Sequence, residues 1–93
     1  MKAFWKDQLL AESDDTIMIE GSHYFPLASI NREFFQESDT NTFCVWRGIA
    51  HFLDINIAGE VIEDAAWYYL NNSQLVASAE GRIAFIKGIK IVE

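Results

Sequence analysis

The residues able to do chemistry are few and concentrated. Between Phe43 and Leu70 the chain carries its only cysteine, Cys44, one of two histidines, His51, and two of three tryptophans, Trp46 and Trp67, with Arg47 beside Trp46. Cys44 with His51 or His23 would supply the thiolate–imidazole pair that a cysteine nucleophile requires. Against this, unpaired cysteine is among the most buried residue types, and spacing alone does not bring sulfur to ring. Glu20, His23 and His51 have the composition of a two-histidine, one-carboxylate metal site. Such a site needs its three ligands to converge, and Gly21 leaves the relative direction of Glu20 and His23 open. Two histidines hydrogen-bonded within a sheet is the simpler account, so neither metal nor cofactor is expected. Glu63 and Asp64 are paired carboxylates, but neighbours on a strand face opposite ways and cooperate in acid–base work only where the strand breaks.

Polar-tipped aromatics carry more weight. Tyr24, Trp46, Trp67 and Tyr68 each bring an indole N–H or a phenol that needs a partner if buried, whereas Phe, Leu and Ile would fill a core without one. With Glu20 and Arg47 beside them, they suit a pocket for a small planar or anionic ligand, Arg47 offering a bidentate contact to a carboxylate or phosphate. The expected ligand-binding set is therefore Tyr24, Trp46, Arg47, Trp67 and Tyr68. Two alternatives stand beside small-molecule binding: an enzyme using Cys44 or Glu20, with His51, and a homodimeric protein-interaction module built on exposed aromatics. The chain has no glycine-rich phosphate loop, no serine nucleophile elbow and no His-Glu-x-x-His motif.

Composition narrows the partners. Fourteen acidic residues against seven basic ones give a formal charge of −7. That disfavours nucleic acid, whose phosphates need a cationic surface, and an anionic membrane surface. One cysteine permits no internal disulfide and no cysteine-rich zinc site. The residues from Met1 to Asp7 have no apolar signal-peptide core, and no apolar run nears the ~20 residues that span a bilayer, so a cytoplasmic protein is expected. At 93 residues, one domain over 1–93 with one modest core is expected.

The elements that must position these residues are short strands. Lys2 to Trp5, Leu9 to Glu12 and Thr16 to Glu20, joined by turns at Asp7-Gln8 and Ser13-Asp14-Asp15, predict an antiparallel meander. Ser22 to Pro26 follows Gly21, and the lone proline ends that strand or sits at an edge. Ser29 to Phe35 is the one helical stretch, of one or two turns, with Ser29 as its cap. Gln36 to Asn41 is polar and turn-rich, and Thr42 to Trp46 is extended. Ile49 to Ile57 is the longest strand, with His51, Leu53, Ile55 and Ile57 on one face, and Ala58-Gly59 makes a hairpin turn. Glu60 to Tyr69 is extended with a break near Asp64. Asn71-Asn72-Ser73 is a loop, and Arg82 to Ile86, a Lys87-Gly88 turn and Ile89 to Val92 close the chain. The fold class is a mainly β antiparallel domain of two sheets with one short helix and no zinc.

Four clusters together carry a resemblance: Glu20-Gly21 with Tyr24-Phe25-Pro26, Cys44-Val45-Trp46-Arg47-Gly48, Asp64-Ala65-Ala66-Trp67-Tyr68-Tyr69, and Ile83-Ala84-Phe85. The chain resembles Domain of Unknown Function 427, a family of small bacterial and fungal proteins, over nearly its whole length. The family pattern reads Cys-Pro-Trp-Lys-Gly in the second cluster and ends the third in Tyr-Tyr-Pro, so Val45, Arg47 and Leu70 depart from it. Arg47 keeps the charge but not the ammonium that a lysine nucleophile needs. The resemblance implies a tent-like fold of two β-sheets meeting at an angle, similar to methionine sulfoxide reductase B and the yippee and cereblon zinc domains. Their paired Cys-x-x-Cys motifs are lacking here, so the fold is implied without metal. The family's nucleotidyltransferase-like label finds no support: Gly21-Ser22 is present, but no Asp-x-Asp follows it to hold two metal ions.

Overall fold

The computed structural model describes residues 1–44, 48–69, 81–86 and 88–93. Among them the chain forms β1 Lys2–Trp5, β2 Gln8–Glu12, β3 Ile17–Ile19, β4 Ser22–Pro26, β5 Phe35–Cys44, β6 Gly48–Ile57, β7 Glu60–Tyr69, β8 Arg82–Phe85 and β9 Lys90–Val92. They make two sheets, a three-stranded one ordered β2-β1-β9 and a six-stranded one ordered β3-β4-β8-β7-β6-β5, with every pairing antiparallel. The mainly β, two-sheet class expected from the sequence is what the chain adopts. No helix among the described residues is long and apolar enough to cross a membrane.

Tight turns set the hairpins. Ala58 and Gly59 join β6 to β7 with φ of 52° and 87°, the paired left-handed geometry of a two-residue hairpin turn, and Glu20 and Gly21 join β3 to β4 with φ of 51° and 85°. The expected three-strand meander is corrected: β1 pairs with β2, but β3 leaves that sheet and pairs with β4. The cause is the Ser13–Asp15 corner, where the Ser13 hydroxyl accepts the Asp15 N–H at 2.9 Å and turns the chain away. Arg82 of β8 then anchors the corner to the larger sheet by donating to the Asp15 carbonyl and, at 3.2 Å, to its carboxylate.

Two other segments differ from expectation. The helical stretch forms two separate 3₁₀ turns, Leu27–Ser29 and Arg32–Phe34, in place of one continuous helix. Ile30 between them is extended and bridges to Ala11, Asn31 donates its side-chain amide to the Leu9 carbonyl at 2.8 Å, and the Ser29 hydroxyl turns back to the Pro26 carbonyl at 2.6 Å instead of capping. Tertiary partners thus outbid a short helix that nucleates poorly. The polar stretch Gln36 to Asn41 belongs to β5, where a loop was expected. Its turn chemistry survives as a bulge: the register shifts between Glu37 and Asn41, and the Ser38 hydroxyl accepts the Thr40 N–H at 3.1 Å. Polar residues are tolerated because β5 is an edge strand. The expected break at Asp64 is also a bulge, with Asp64 at φ 52° and its N–H bonded to the Asp54 carboxylate at 2.8 Å.

The core has two parts. Phe25, Leu10, Ile55 and Ile83 are its largest fully buried side chains, and with Ala3, Ala65, Ala66 and Phe85 they form the main cluster, to which the strands of both sheets contribute. Phe25 meets Phe85 edge-on, with ring centroids 5.7 Å apart. A smaller cluster of Tyr24, Ala50, Tyr69 and Ala84, flanked by Ile17, Ile19, Phe52 and Trp67, draws only on strands of the six-stranded sheet.

Candidate functional site

Side-chain alternation decides which expected site residues meet. In β4, neighbouring Tyr24 and Phe25 are both buried but belong to different clusters, Phe25 to the main core and Tyr24 to the smaller one. In β7, Trp67 and Tyr69 join Tyr24, while Tyr68 packs against the main core. The structure therefore brings Tyr24 and Trp67 together and sends Tyr68 to the opposite face. Trp46 and Arg47, together with the family departures Val45 and Leu70, the Asn71-Asn72-Ser73 loop and Lys87, lie outside the described residues.

The Trp67 indole N–H donates to the Tyr24 hydroxyl at 3.2 Å, and the rings stand edge-to-face at 86° with centroids 6.4 Å apart. Burial pushes the Tyr24 phenol up from its ordinary pKa; the Trp67 bond works against that shift, and Tyr69, its hydrogen-bonding neighbour, adds to it. Tyr24 thus stays a neutral phenol at physiological pH. Phe52, the cross-strand partner of Trp67, tilts against the same indole at 6.2 Å.

Two grooves border this indole. One, of about 450 Å³, runs between Trp67, Phe85 and Ile86 on one side and Glu20, Ser22 and His23 on the other. Its origin lies in the ladder: β4 pairs with β8 only at Phe25↔Ile83 and Pro26↔Arg82, and the groove opens beyond those pairs, toward Ser22 and Ile86. The other, of about 210 Å³, is lined by Thr42, Ala50, Phe52, Trp67 and Tyr69. Trp67 is the side chain common to both.

The catalytic candidates are distributed otherwise. Glu20 and His23 share the larger groove, whereas His51 lies across from Tyr68 and stacks on its ring at 5.5 Å and 25°. Glu20, His23 and His51 are not gathered into one ligand set, and among the described residues no three His, Cys, Asp or Glu side chains are placed to hold a metal ion. Cys44 pairs through its backbone with Gly48, and its side chain lies outside what is described. Glu63 is exposed, and Asp64 is taken up structurally, its carboxylate accepting the Ser38 hydroxyl at 2.5 Å.

Phe52, Thr42 and Tyr69 were not among the site candidates in the sequence, although Tyr69 closes the third motif cluster. Period-two alternation was the available signal: it groups Trp67 with Tyr69 and separates both from Tyr68. Fold and site together define the class, a small mainly β protein of two antiparallel sheets with a polar-tipped aromatic cluster on the larger one. The chain belongs to the family described as Domain of unknown function (DUF427), whose pattern matches residues 1–92. No curated protein matches its sequence.

Proposed function

We propose that the Trp67 face binds a small planar ligand. The observation that carries this reading is the position of Trp67: one indole, fixed by its bond to Tyr24, walls two grooves at once. A planar ring system gains stacking area from such a wall, and Ser22, His23 and Thr42 offer polar contacts around it. Trp46 and Arg47 remain proposed members of the set, Arg47 as the contact to an anionic group.

A thermal-shift screen of nucleobases, nucleotides and aromatic metabolites tests the reading. A selective binder stabilises the fold by about 2.7 kcal/mol at a hundred times its Kd. That shift should shrink in Trp67→Leu and in Trp46→Ala or Arg47→Ala. No stabilising compound, or hits indifferent to Trp67, would reject it.

A second reading, self-association, is favoured by one observation. Phe43 and Ile49 are cross-strand partners on β5 and β6 and are 73% and 45% exposed. Paired apolar side chains left in water suit an interface between two copies. Sedimentation velocity decides it: a dimer that becomes monomeric in Phe43→Ser supports the reading, and a wild-type monomer at tens of micromolar rejects it.

A further inference from the structure

On the main-core side of the larger sheet, away from Trp67, a third groove of about 320 Å³ opens beside Tyr68. Its base is apolar, made by Leu27, Ile30, Phe35 and Leu53, side chains that also belong to or pack against the main core. Its walls carry two opposite charges, Arg32 and Glu37. Arg32 forms no ion pair among the described residues, and Glu37 is not paired with it. Glu37 is instead held by Tyr68, whose hydroxyl donates to one carboxylate oxygen at 2.7 Å, and Tyr68 is itself held by the stacked His51 ring. The groove therefore presents an apolar base, a positioned carboxylate and a guanidinium without an ion-pair partner among the described residues.

A ligand matching all three carries an anion, a cation and an apolar body in one small molecule. We infer that this groove binds a free apolar α-amino acid as its zwitterion. The carboxylate meets Arg32, which suits bidentate capture, and the ammonium meets the free oxygen of Glu37. The aliphatic or aromatic side chain covers Leu27, Ile30 and Leu53. The volume stands at the lower end of ligand pockets, roughly 300–1,000 Å³, as an amino-acid-sized occupant requires. Both charges face solvent at the groove's edge, so selectivity comes from meeting the two of them together with the apolar base. The site is independent of the Trp67 grooves, with which it shares no lining residue.

The test is an NMR titration of the full chain with L-leucine and L-phenylalanine, followed at the Glu37 and Tyr68 amides. Saturable shifts are expected, and Arg32→Gln and Glu37→Gln should each weaken binding about tenfold, the loss of one charge-assisted hydrogen bond. N-acetyl-leucine and leucinamide, which each remove one ligand charge, should lose a similar factor. The inference is overturned by flat titrations at millimolar amino acid. It is equally overturned if acetylated or amidated leucine binds as well as leucine itself, since an apolar groove alone would then account for the affinity.

Discussion

The Ser38 hydroxyl donates to the Asp64 carboxylate at 2.5 Å, linking β5 to β7 across the strand that lies between them. Each residue sits where its strand bulges, and Asp54 of the intervening strand holds the Asp64 backbone N–H. The polar side chains thus lock two irregularities into one network. Asp54→Ala should cost about 1–3 kcal/mol by leaving that N–H without its acceptor. Asp64→Gly should stay within about 1 kcal/mol of wild type, because glycine accepts φ 52° while losing the Ser38 bond. Asp64→Val should cost several kcal/mol, combining left-handed strain with the lost bond. Urea denaturation of the three variants checks the ranking.

The Tyr24–Trp67 pair is separable from simple packing by a double-mutant cycle. Tyr24→Phe removes the acceptor and Trp67→Phe removes the donor while both keep a ring. The coupling between the two changes should be about 0.5–1.5 kcal/mol. A coupling near zero in equilibrium unfolding would mean that the edge-to-face contact, and not the hydrogen bond, orients Trp67.

The phenol of Tyr68 is pushed up to about 12, first by desolvation and then by its bond to and charge repulsion from Glu37. The unfolded chain ionises a tyrosine near pH 10, so the folded state binds more protons between these values. This contribution is complete below pH 10 and is lost as pH rises from 10 toward 12. Ultraviolet titration should show late phenol ionisation, of which the Tyr68 share disappears in Tyr68→Phe while that of Tyr24 stays, and Tyr68→Phe should lose less stability than wild type between pH 10 and 12.

Phe25 and Phe43 give opposite expectations. Phe25 is fully buried against Phe85, and Phe25→Ala should cost about 3–5 kcal/mol, a large part of the roughly 5–15 kcal/mol that holds a small domain folded. Phe43→Ser should change monomer stability by no more than about 0.5 kcal/mol. Thermal melts of both variants check the contrast.

Much of the architecture was legible because alternation and turn residues are local properties. Ile49 to Ile57 reads as a strand from its period, and Ala58-Gly59 as its turn, and the chain obeys both. The departure of β3 from the first hairpin was not legible, because the Ser13–Asp15 corner reads like any hairpin turn and its anchor, Arg82, lies far along the sequence. The edge position of β5 was hidden for a similar reason: polarity marks a loop and an edge strand alike, and only the pairing order separates them. Within the site, the residue types of Tyr24 and Trp67 announced a need for partners, and each became the other's. The grooves themselves follow from where ladders stop, a property of the assembled sheet. Arg32 and Glu37 were invisible for the same reason, since solvent-facing charges acquire meaning only from the apolar base between them.

The smaller sheet joins β1 to β9, Lys2–Trp5 pairing with Lys90–Val92. During synthesis the β1–β2 hairpin therefore emerges well before β9 and keeps an open edge, unprotected by its own sheet, until the strands from β3 to β8 and then β9 have followed. That edge is a template for other chains for as long as β9 is missing. The order of appearance on the ribosome, and not only the final energy, makes β9 a guardian of β1.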